Sequence, residues 1–163
     1  MIERDYIMRM ISMLTAVIAK IFAMKHAREY PQALEELQRQ SRSLIGIDAE
    51  FLSSLDTTSL VHLFGSDPHV AGTKCYVAGV LLKERSELLM LLHRPDEASA
   101  DAMQALSLLL EAYQIADDPI DARHLELIDE LAGTLSSLPD GFAQKLSAYR
   151  DRAHAQARSA DDL

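Results

Sequence analysis

Apolar residues recur every third or fourth position along most of this chain, as on one side of a helix, and no useful stretch alternates apolar and polar residues with period two. The densest case is "YIMRMISMLTAVIAKIFAMK", Tyr6 to Lys25. Helical spacing places Ile7, Ile11, Leu14, Ile18, Ile21 and Phe22 on one stripe, and Tyr6, Met10, Met13 and Val17 on a neighbouring stripe. Two apolar stripes need two covers. Full burial within the monomer is the first expectation, a homodimer interface through Tyr6, Met10, Met13 and Val17 the second, and a partner or membrane surface the third. Spanning a membrane is not expected, because the uncharged run between Arg9 and Lys20 has ten residues against the roughly 20 that a bilayer needs. The mixed start Glu3, Arg4, Asp5 does not read as the basic start of a secretion signal.

The pattern continues downstream. Tyr30, Ala33, Leu34, Leu37, Leu44 and Ile45 share a helical face that Gly46 terminates. Asp48 is placed to cap a short helix over 49–55, and Asp56 or Thr58 another ending near Phe64, although residues 46–67 are the least regular part of the pattern. Asp67 and Pro68 give a cap followed by proline at the first helical position, opening a long helix to about His93. Pro95 breaks it and 96–116 follows; Asp118 and Pro119 repeat the cap-proline start, with Asp117 as a further capping residue. Pro139 opens a last helix that fades after Arg158. The expected fold is all-α: a single domain over 1–163 of about seven or eight helices in antiparallel pairs, as a helical-repeat stack or a bundle. Residues 1–26 form its apolar first helix and 159–163 a disordered tail.

Two segments carry pieces of a known repeat. In "HRPDEASADAMQAL", Ala98, Ala102, Ala105 and Leu106 follow the small-residue pattern of a tetratricopeptide repeat, with Ala102 in place of the aromatic. In "REYPQALEEL", Tyr30, Ala33 and Leu37 match the tyrosine, small residue and large residue of that pattern. Ser86 and His93 stand where glycines are usual, the repeat tryptophan is missing, and no fixed 34-residue period runs through the chain. With its opening "MIERDYIMRMI", the chain resembles a family of small uncharacterised bacterial proteins with tetratricopeptide-like helices. That resemblance implies an intracellular helical protein and adds no catalytic residue.

Composition narrows the functional classes. The 163 residues suffice to bury a core without disulfides or metals. The net charge is -9, divided as +2 over residues 1–30 and -11 over the remainder, which argues against nucleic acid as a partner. Cys75 is the one cysteine and reads as a small buried hydrophobe; its solitude fits a cytoplasmic location. Phosphate-loop, dinucleotide-binding, nucleophile-elbow and HExxH patterns are absent. The nearest approach to a metal motif is Asp121 with His124 and Asp151 with His154, carboxylate and imidazole at i and i+3; both pairs read as solvated or capping side chains. His26, His62, His69 and His93 fall near helix ends or in the irregular region.

A non-enzymatic module that binds a protein or peptide is therefore expected, without cofactor or metal, cytoplasmic and with membrane contact disfavoured. A compact bundle holding a small ligand or metal, and a peripheral membrane protein using Tyr6–Phe22, are the alternatives. If a repeat groove exists, the register around Leu89 turns Lys83, Glu87 and Met90 into it. The competing reading of Lys83 and Glu87 is a surface ion pair worth a few tenths of a kcal/mol.

Overall fold

A computed structural model describes residues 2–116 and 122–162. Among them are eight helices and no strand: α1 Ile2–His26, α2 Tyr30–Ile45, α3 Ala49–Ser54, α4 Thr57–Phe64, α5 Pro68–Leu91, α6 Pro95–Ala116, α7 Ala122–Thr134 and α8 Phe142–Asp161. The expected roles of Asp117, Asp118, Pro119 and Asp121 lie outside the described residues.

Local chemistry sets most boundaries. Asp67 accepts from the backbone N–H groups of His69 and Val70, and Pro68 follows in the first turn of α5. Asp56 likewise caps α4 through Ser59 N–H. Gly46 ends α2 in the left-handed conformation at φ 75°, its N–H donating to Arg42 O. Asp48 precedes α3, but its carboxylate pairs with the Arg42 guanidinium instead of capping the helix. The last helix begins at Phe142, not at Pro139: Pro139 O accepts from Phe142 N–H in a turn, and Gly141 at φ 93° redirects the chain into α8. That helix continues to Asp161, three residues beyond the end read from the sequence.

Two helical hairpins, α1/α2 and α5/α6, form the centre. Both turns are closed by a non-glycine residue with positive φ, Arg28 at 58° and His93 at 59°. Glu29 N–H reaches back to Met24 O, and Arg94 N–H to Leu89 O, the six-to-one closure of a helix end. Left-handed backbone costs such residues roughly 1 kcal/mol relative to glycine. Five residues past each turn stands a buried alanine, Ala33 or Ala98, so both hairpins are narrow at the same place.

α5 is the hub, packed against α1, α2, α3, α4 and most extensively α6. Its middle is buried on all sides, from Val77 to Ser86, as befits a helix without a polar face. Four consecutive polar residues there, Lys83 to Ser86, need partners in place of water. Glu84 accepts from Lys25, Arg85 donates twice to Asp101, and Ser86 donates to Ala98 O.

On α1 the buried seam is Met10, Leu14, Val17 and Ile21, spaced four, three and four, so it takes residues from both apolar stripes. Met10 and Val17 are therefore core residues of the monomer, and the stripe expected at a homodimer contact is not presented as such. Tyr6 and Met13 remain exposed beside the seam, and Met8 and Phe22 project on other sides at 61% and 59% exposure. By length and composition alone α1 is apolar enough to cross a membrane, and 22% of its most apolar stretch is buried.

Candidate functional site

α7 packs on α6, and a recess of about 340 Å³ opens between α7, the C-terminal half of α5 and the end of α1. Lys83, Glu87 and Met90 all line it, brought to one surface as the helical register around Leu89 suggested. Leu131 and Thr134 of α7 face them, with Met90 and Leu91 largely exposed at the opening.

The polar wall is a chain of ions. Lys25 Nζ lies 2.7 Å from both Glu84 Oε2 and Glu87 Oε2, Lys83 Nζ is 2.7 Å from Glu87 Oε1, and Glu130 stands 3.4 Å from Lys83. Burial by itself pulls the pKa values of both lysines down. The carboxylates more than offset it, so both are raised, Lys25 by Glu84 and Glu87 and Lys83 chiefly by Glu87. Glu87 is the converse: burial raises its pKa, and the bonds from Lys25 and Lys83 bring it below the ordinary value. Lys25, Lys83 and Glu87 thus remain charged near neutrality. Lys83 and Glu87 are no isolated surface pair, since the Lys83 side chain is 9% exposed and each ion has a second partner.

Local sequence spacing could identify Lys83, Glu87 and Met90 because they sit on one turn-related face of one helix. It could not identify Lys25, Glu130 or Leu131, which arrive from α1 and α7 through tertiary packing. Their local patterns are those of any amphipathic helix.

The other chemistry-bearing side chains are closed off. Cys75 is fully buried, and burial, with a contribution from Glu111, pushes its thiol up to about 12. His124 is not the solvated side chain read from the sequence: it is fully buried among Tyr76, Tyr113 and Tyr149, and burial lowers its pKa to about 3. Asp151 and His154 are both exposed on α8, and among the described residues no three His, Cys, Asp or Glu side chains gather as metal ligands.

Fold and recess together define an all-helical protein of paired helices around a buried central helix, with an open groove that is apolar at its mouth and ionic along one wall. The chain belongs to DUF6483, a family of unknown function whose model matches residues 1–130. That stretch holds every ion of the recess. No curated protein and no solved structure matches the chain.

Proposed function

We propose that the protein is a non-enzymatic, tetratricopeptide-like interaction module of the cytoplasm that docks a protein or peptide partner in the recess between α5 and α7. The observation that carries this reading is the pairing, at one opening, of exposed Met90 and Leu91 with a fixed row of charges. Apolar side chains at a rim supply contact area, and methionine adapts to differently shaped partners. The ionic wall fixes orientation, because Lys25 and Lys83 are already held by carboxylates and need no reordering on binding. Burial of Cys75 and His124 favours recognition over chemistry.

Peptides selected from a displayed random library on the intact chain test the proposal. M90E, a change at an exposed helix position, is expected to leave folding intact and weaken the selected peptides at least about tenfold by placing a charge in the apolar mouth. Peptides that bind M90E and the parent chain equally well would remove the recess as the docking site.

A second reading concerns α1, whose exposed Met8 and Phe22 leave apolar surface beyond the monomer core. A second copy of the chain is its proposed cover.

A further inference from the structure

Arg85 stands two residues from both Lys83 and Glu87, a rotation of about 200° around the helix, and therefore faces the other side of α5. There it lines a separate recess of about 480 Å³ with Leu34, Glu35, Gln38, Arg39, Glu50 and Arg94. Arg85 is 7% exposed. Its Nη1 alone makes both bonds to Asp101, at 3.0 Å to Oδ1 and 2.7 Å to Oδ2. Among the described residues none accepts from Nε or Nη2, and neither nitrogen is sealed from solvent, so these donors of a largely buried side chain are open to the recess.

Two further guanidiniums stand at the rim. Arg94 reaches Glu97 through Nε and Nη2, and Arg39 reaches Glu36 through Nη2, so each keeps donors in reserve. Both arginine side chains are more than two-fifths exposed. Two carboxylates share the lining: Glu50 acts electrostatically on Arg94, and Glu35 on Arg39, after those arginines' own Glu97 and Glu36 partners. A simple anion would be drawn to the arginines and repelled by Glu35 and Glu50, and a simple cation would meet the reverse. A small molecule bearing both charges satisfies both sets.

We propose that this recess binds a small zwitterion of the amino-acid class, its carboxylate on Arg85 and Arg94 and its ammonium on Glu35 and Glu50. Leu34 offers the apolar contact for a side chain. The desolvated Arg85 supplies the strongest bond, since a buried guanidinium loses least to competing water.

Thermal unfolding and calorimetric titration of the intact chain with the free amino acids, at about 10 mM, test the assignment. N-acetyl derivatives, which lack the ammonium, and methyl esters, which lack the carboxylate, form the control arms. At least one free amino acid is expected to bind, with roughly tenfold loss or more for each of its two blocked forms. R94Q, at an exposed position, is expected to fold and to weaken binding about tenfold, and E50Q to weaken the free amino acid while sparing its acetyl form. R85M/D101L removes both members of the buried pair together, so no lone charge is stranded, and is expected to abolish binding. Absence of binding by every free amino acid, equal binding of the acetylated form, or unchanged affinity in R94Q would each overturn the proposal. M90E is expected to leave this binding unaltered, which separates it from the α5/α7 recess.

Discussion

His124 has its ring centroid 4.0 Å from that of Tyr113 and 5.4 Å from that of Tyr76, with Nδ1 2.6 Å from Tyr149 Oη. In this setting the imidazole stays neutral down to about pH 3, whereas in the unfolded chain it takes a proton below about 6.5. Between those values the unfolded state binds the extra proton, so the stability that a neutral His124 permits is fully present above pH 6.5 and is lost as pH falls. The slope is roughly 1.4 kcal/mol per pH unit within the window. Replacing it in H124Q is expected to cost stability at pH 7, and the advantage of the parent chain over H124Q should shrink steadily between pH 6 and 4, read by urea unfolding at each pH. A constant difference would mean that the imidazole titrates alike in both states. The sequence shows a histidine one helical turn from Asp121 and gives no sign of burial, because the enclosing tyrosines come from α5, α6 and α8. The same limit applies to Arg85 and Asp101, whose contact through Nη1 joins two helices with no local mark in either.

Helices were the legible level, because most boundaries rest on short-range chemistry that a sequence displays: Asp67 with Pro68, Asp56 with Ser59, and Gly46 after Ile45. Pro139 misled because a proline suits a turn as well as a first helical turn, and here the left-handed Gly141 falls between it and α8. The stripes of α1 misled for another reason. A helix apolar on several sides does not declare which side is covered, and the seam through Met10 and Val17 depends on what α2 and α5 present to it. Close approach of α5 and α6 can be tested directly. A Cβ on Gly79 would stand 2.8 Å from Leu109 Cγ and 3.2 Å from Ala105 O. The leucine can move, and the backbone oxygen yields less readily. Alanine gains about 1 kcal/mol of helix propensity over glycine, yet overpacking costs about 1–3 kcal/mol. G79A is therefore expected to lower the midpoint of chemical unfolding, and an unchanged or higher midpoint would show that the α5/α6 contact is looser than described.

At the scale of the molecule, the hairpins α1/α2 and α5/α6 leave two recesses on opposite sides of α5 and an apolar outer surface on α1. Each invites a different occupant, and the methionines report separately on the α5/α7 recess and on the surface of α1. Among the seven methionines, Met90 lies at the mouth of the α5/α7 recess, Met8 and Met13 on the exposed side of α1, and Met10 in the core. The most direct test of docking at α5/α7 is the methyl spectrum of methionine-labelled protein, recorded across protein concentration and then during titration with a library-selected peptide. The peptide is expected to shift the Met90 methyl while Met8 and Met13 hold their positions; dependence of Met8 and Met13 on protein concentration alone would mark the second copy on α1. If the peptide instead moves Met8 and Met13 and leaves Met90 unchanged, the partner docks on the first helix and the recess is not its site.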